Sequence, residues 1–307
     1  MYIIDSHCDS IQRTDKKGWP LKNRYNMSEK HLQAQFFAMF CCWPRETPEQ
    51  SYDRMMRYTR LFEQQMQLCG DYMVQCRTGS QIEQAFRDGK NAAILTLEGG
   101  SGLMESTEIL DDMYRRGARV CGLTWADNAL GCSNRAAVDT GLTASGLRIA
   151  RRCLELGMII DVSHLSDRGF YRLCELSDIP FVATHSNFRE MCGHSRNLTR
   201  DMALEIKRRG GMIGMANLCV QFLREDKNAT VYDVLRHIDY ALDLLGDGCI
   251  GFGFDADGTS DVYPGGFSME RSLHDTLLEQ MDRRYPAATV ARIAGGNWLD
   301  FLKANLG

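Results

Sequence analysis

The segment Tyr2-Ile3-Ile4-Asp5-Ser6-His7-Cys8-Asp9 ends an apolar run with an imidazole and a carboxylate two residues apart. On an extended chain, residues i and i+2 face the same way. His7 and Asp9 would therefore stand side by side, a pair suited to a divalent metal but too small to hold one alone. The pattern recurs along the chain. Ala92–Leu97 runs into Glu98, Gly157–Ser163 into His164, Pro180–Thr184 into His185 and Cys249–Phe254 into Asp255. Each is a short apolar stretch with a metal-type ligand at its C-terminal end.

Eight such stretches can be read as strands: 2–9, 35–43, 92–97, 119–124, 158–163, 181–184, 212–216 and 250–254. Helical spacing or helix-boundary signals mark 48–74, 80–89, 106–116, 143–156, 166–176, 198–209 and 230–245, and most of 269–306. Ser80 is the expected cap of its helix, with Glu83 as capping-box partner. The polar segment 10–30, broken by Gly18, Pro20 and Asn23, reads as a loop. Strand–helix alternation at this length predicts an α/β fold, a (β/α)8 TIM barrel spanning residues 1–307 as one domain. An open nucleotide-binding sheet would place a Gly-rich turn after the first strand, and His7-Cys8-Asp9-Ser10 is none. In a barrel the strand C-termini share one face, where active sites are built.

On that face, His7, Asp9, Glu98, His164, His185 and Asp255 are too many groups for one tetrahedral zinc with an open position. They fit two zinc ions per chain with a shared carboxylate. His7, Asp9 and Glu98 would hold one, and Glu98, His164 and His185 the other. Asp255, not needed as a ligand, would be free to move protons, with a third-ligand role as its alternative. Of the remaining histidines, His31, His237 and His274 fall in polar or helical segments and are expected to be solvated, and His194 falls in a loop near the site.

These motifs, in this order and spacing, resemble the membrane dipeptidase (renal dipeptidase) family of the amidohydrolase superfamily. The matching segments are Ile4–Asp9, Glu98-Gly99-Gly100, Leu123-Thr124, Ile160–His164, His185-Ser186-Asn187, Arg196-Asn197-Leu198 with Asp201, and Gly251–Gly258. The resemblance implies an amidohydrolase-like barrel, two zinc ions bridged by Glu98, and hydrolysis of dipeptides by a metal-bridging hydroxide, with a D-residue tolerated at the C-terminal position. It implies His7, Asp9, Glu98, His164 and His185 as ligands, Asp255 as the acid/base, and Arg196 as the partner of the substrate's terminal carboxylate, a task suited to a guanidinium fork. One position departs from the pattern. Renal-type members carry a substrate-contacting His directly after the Leu-Thr pair, and this chain has Trp125, which can donate one N–H but cannot take a proton. Asn128 is the candidate for supplying the missing polar contact.

Composition narrows the partners. Net charge is −4, with 44% apolar and 25% charged residues, and no charge block stands out as a tail. Nothing points to nucleic acid or to a membrane, and the expected partner is a small dipeptide. No signal-peptide pattern opens the sequence, and the 12 Cys include no C-x-x-C pair, so free thiols and a cytoplasmic, bacterial-type member are expected. The apolar content leaves room for a homodimer surface that no stretch locates. Two other functions compete: an amidohydrolase acting on N-acyl amino acids or cyclic amides, and a non-catalytic binding barrel. Arg196 argues against a neutral lactam, and an intact ligand set argues against a binding module.

Overall fold

A computed structural model describes residues 1–17, 27–43, 45–215, 217–259, 262–268 and 270–307. Nine parallel strands form one sheet: β1 Tyr2–Cys8, β2 Leu32–Phe40, β3 Met73–Gln75, β4 Asn91–Glu98, β5 Ala118–Gly122, β6 Ile159–Asp161, β7 Val182–Ala183, β8 Met212–Met215 and β9 Ile250–Phe252. Eight of them close a ring, in the order β1, β2, β4, β5, β6, β7, β8, β9 and back to β1. This is the expected (β/α)8 barrel, with helices around it.

The strands predicted from sequence all form. The ninth, β3, was not expected, because the helical period over 48–74 runs on through Met73 and Val74. The helix ends instead at Leu68, with Cys69 as its cap, and 73–75 pairs with the first residues of β4. A second correction concerns Ser10–Lys17, which is a helix rather than a loop. It buries Ile11 and Thr14, three residues apart on one face. The expected breakers Gly18, Pro20 and Asn23 lie outside the described residues. The cap of the helix Gly79–Arg87 is Thr78, whose side chain accepts from the Gln81 amide, and Glu83 pairs with Lys303 instead.

Inside the ring, Ile4, Ala34, Ala92, Val120, Ile159, Val182 and Met212 form a layer, one residue from each of seven strands, against the fully buried Trp298 of the C-terminal helix. Above it the packing narrows. A Cβ on Gly214 would collide with the Thr184 carbonyl oxygen and Ser6 Oγ, and one on Gly253 with the same carbonyl. These glycines let Ser6 reach across the barrel and donate to the carbonyls of Thr184 (2.5 Å) and Phe252 (2.8 Å). That crosslink floors the site. A larger apolar cluster fills the space between strands and outer helices. All twelve cysteines are free thiols, nine of them buried, acting there as small apolar side chains. Among the described residues, no helix is long and apolar enough to cross a membrane.

Candidate metal centre

The barrel brings together every ligand-type residue read from the strand ends. Glu98 is at the middle. Its Oε1 lies 3.0 Å from His164 Nε2 and 3.5 Å from Nε2 of both His7 and His185. The Nε2 atoms of His164 and His185 are 3.1 Å apart, and the His7 and His185 rings stack at 3.6 Å. On the other flank, His7 Nε2 is 3.8 Å from Asp9 Oδ2 and 3.7 Å from Asp255 Oδ1. Asp255 thus groups with His7 and Asp9 as well. Its side chain is 14% exposed, against 6% or less for the other five. It is the most exposed member of the set and lines the cavity over the centre.

The electrostatics favour a cation. Burial pushes Asp9 up to about 6 and Asp255 up to about 7, with neighbouring carboxylates adding to both shifts. Burial, reinforced by Arg196, pushes His164 down to about 3. Burial also lowers His185, reinforced by His7 and Arg196. Both imidazoles are therefore neutral, with lone pairs to donate. His7 and Glu98 share the remaining charge. Burial works against each ionised form, but Glu98 and its fellow carboxylates hold His7 well above its ordinary value, and the imidazoles hold Glu98 well below its own. His7 Nε2, Asp9 Oδ1 and Glu98 Oε2 are buried without a hydrogen-bond partner. Unpaired buried donors and acceptors are costly. An imidazole nitrogen and two carboxylate oxygens left unpaired beside one another are groups that divalent zinc takes as ligands.

Two further aspartates hold this set in place. Asp161, at the end of β6, accepts from the Ser163 amide and hydroxyl and from the Thr184 amide through Oδ1, and from the Thr184 hydroxyl through Oδ2. β7 is only two residues long, and here a side chain replaces the backbone ladder at the rim. With its proton committed to Asp161, Thr184 Oγ1 must accept from His185 Nδ1 (2.8 Å). This fixes the tautomer that leaves Nε2 free for a metal. Asp5 does the corresponding work on the other flank. Its Oδ1 accepts from the Phe254 amide (3.0 Å) and the His7 amide (3.3 Å), and its Oδ2 pairs with His274 Nε2 (2.9 Å).

His274 is therefore not solvated as expected. It is fully buried, and its ring stacks on Phe254 at 4.4 Å. His237 is also buried, with Nδ1 accepting from the Phe188 amide and Nε2 donating to the Leu223 carbonyl. Both sit in helices, where polar neighbours in the sequence hide an inward face. His194 does lie near the site. Its Nδ1 accepts from the Arg196 amide, and its ring packs on Phe222.

The cavity over this centre is about 110 Å³, and its lining includes Trp43, Trp125, Arg135, Gln221 and Phe222 beside Asp9, Glu98, His164 and Asp255. Trp125 is half-buried between Phe40, Trp43 and His164. The Asn128 side chain is bonded within its own turn. Its amide donates to the Leu123 carbonyl and accepts from the Leu130 amide, so both ends serve its own loop, and it lines a neighbouring cavity. Arg196 is buried behind His185, donating to the Ser186 hydroxyl and the His185 carbonyl, with Nε unpartnered. Asp257 accepts from the Ser10 hydroxyl and pairs with Arg13. Arg135 had no signal in the sequence, since it follows no apolar run.

A family model for the membrane dipeptidases, peptidase family M19, matches residues 1–305. An uncharacterized protein of Acinetobacter calcoaceticus is 35% identical over 181 residues, 55% of this chain and 57% of that protein. Dipeptidase 3 of Rattus norvegicus is 31% identical over 202 residues, 64% of this chain and 41% of that protein. The chain spans about half the length of these two relatives. Among solved structures, dipeptidase AC, a metallopeptidase of family M19, superposes with a TM-score of 0.87 at 25% identity, over 100% of this chain and 99% of that one.

The Asp5–His274 pair gives a direct test of how the centre is held. His274→Ala leaves Asp5 Oδ2 buried without its partner. The expected loss of stability is about 2–4 kcal/mol, and zinc affinity should fall by roughly 10–100-fold. Urea unfolding and competition with a zinc chelator measure the two. Unchanged zinc affinity would show that the pair supports the fold alone.

Proposed function

Since the chain belongs to the membrane dipeptidase family, peptidase family M19, we propose that it is a metal-dependent dipeptidase whose centre takes two zinc ions with Glu98 between them. The observation that carries this reading is the position of Glu98 Oε1, within 3.5 Å of three imidazole Nε2 atoms. His7 and Asp9 would hold one ion and His164 and His185 the other. Bound there, the ions would make water nucleophilic near neutral pH and polarise the scissile carbonyl.

The protein's own groups do the rest. The leaving amine must gain a proton before the tetrahedral intermediate can collapse. Asp255 would take a proton from the attacking water and pass it to that nitrogen. Three observations support this role. Its side chain is the most exposed of the set, and Asn217 Nδ2 binds its Oδ2 at 3.2 Å, leaving Oδ1 to face the other groups. Its backbone is left-handed, with φ of 58°, a conformation that costs a non-glycine residue free energy and clusters at functional sites.

Arg196 would bind the substrate's terminal carboxylate. Burial pushes it down to about 10, and among the described residues it has no carboxylate within ion-pair distance. Buried charges are ordinarily paired, so an incoming carboxylate is a fitting partner. Trp125 would contribute an apolar wall rather than a proton-bearing group. Dipeptides with a D-residue at the C-terminal position fall within the same proposal.

Asp255→Asn keeps shape and cannot shuttle a proton. Zinc content should survive while kcat falls by ~10²–10⁴. Near-normal kcat would refute the shuttle, and a lost zinc would make Asp255 a ligand. Arg196→Ala should lower kcat/KM for a dipeptide by roughly 10–150-fold, the equivalent of a charge-assisted contact of about 1.5–3 kcal/mol. The loss should be much smaller for the dipeptide amide. Equal losses on both would sink the carboxylate assignment and favour an amidohydrolase with a different substrate.

A further inference from the structure

Arg135 lies in the loop between β5 and the helix Ala144–Leu156. Its guanidinium carbon sits 5.0 Å from the centre of the Trp125 ring, over its face. Trp125 in turn stands 5.9 Å from the ring of His164, and both line the cavity over the metal centre. The side chain is exposed, and among the described residues no carboxylate pairs with it. Other arginines of the chain do have such partners, as Arg152 has Asp111, Arg208 has Glu205 and Arg284 has Asp239. The acids of its own loop are engaged elsewhere. Asp127 accepts from the Ser133 amide and hydroxyl, and Asp139 from the Gly141 and Arg168 amides.

The loop is also held firmly to the site. The Asn134 amide donates to the His164 carbonyl at 3.0 Å, the Asn134 side chain donates to the Ser163 carbonyl at 3.1 Å, and the Arg135 amide donates to Ser133 Oγ. The backbone that carries Arg135 is thus bonded directly to the strand end that carries His164. An unpaired cation on an anchored loop, over an indole face at the edge of a metal cavity, is a ready contact for an anionic group.

Charge assigns the end of the substrate it would meet. Asp9 and Asp255 stand by His7, on the flank of Glu98 away from both arginines. Arg196 and Arg135 both belong to the His164 flank, where Arg196 would take the terminal carboxylate. Resting on the dipeptidase reading, we propose that Arg135 is a specificity-determining residue that selects dipeptides whose C-terminal residue carries an acidic side chain. The second carboxylate meets the guanidinium while Trp125 packs on the methylene carbons.

The test compares Ala-Glu with the isosteric Ala-Gln, and adds Ala-Lys, on zinc-loaded wild type, Arg135→Gln and Arg135→Glu. Each result is a ratio of kcat/KM within one protein, so partial misfolding or metal loss cancels. Wild type should favour Ala-Glu over Ala-Gln by roughly 10-fold, and the preference should shrink with added salt. Arg135→Gln should abolish it, and Arg135→Glu should turn the preference towards Ala-Lys. Efficient cleavage without a Glu preference in wild type would overturn the role of Arg135 and leave the dipeptidase reading standing. So would a preference that survives Arg135→Gln, or a loss equal on Ala-Glu and Ala-Gln, which would make Arg135 a reader of the backbone carboxylate. Cleavage of none of the three peptides by wild type would bring down both proposals.

Discussion

Two buried carboxylates, Asp9 and Glu98, and a partly exposed third, Asp255, gather around His7 at the C-terminal rim of the barrel. Burying like charges together is unfavourable unless a cation compensates. The rest of the rim can be understood from that constraint. Two of the imidazoles are lowered by burial and nearby cations, and the third, His7, is raised by the carboxylates around it against the effect of burial. Groups that would repel one another in an empty site become a ligand set when positive charge is present.

Holding such a set requires backbone that does not yield, and Asp5 and Asp161 provide it. Each lies on a strand directly below the ligands and binds backbone amides at the rim. Each also reaches a histidine of the region, Asp5 through a direct pair with His274 and Asp161 through the Thr184 hydroxyl to His185. Below them, glycines at positions 214 and 253 let the Ser6 crosslink pass through the barrel. The apolar layer against Trp298 closes the opposite end. Function is thus placed on a base that is apolar at the bottom, hydrogen-bonded in the middle and charged at the top.

The sequence made the ligands legible for a physical reason. In a parallel barrel, buried strands read as short apolar runs, and an imidazole or carboxylate at the C-terminal end of such a run falls on the functional face. His7, Asp9, Glu98, His164, His185 and Asp255 all carry that signature. His274 and His237 do not, because a helix mixes its buried and exposed faces every few residues, and their inward orientation depends on packing with distant strands. β3 was hidden for a related reason, since a helical period in apolar residues can run past the helix end. Asn128 had the right chemistry and proximity in sequence, but the turn it sits in uses both ends of its amide. Arg135 becomes visible only once the loop is seen folded against the end of β6.

Anomalous diffraction at the zinc edge, from crystals of protein purified without chelators, tests the central claim most directly. The account predicts two peaks, one on each side of the Glu98 carboxylate and about 3.5–4 Å apart, with one near His7 and Asp9 and the other near His164 and His185. A single peak, or a pair that Glu98 does not bridge, would contradict it.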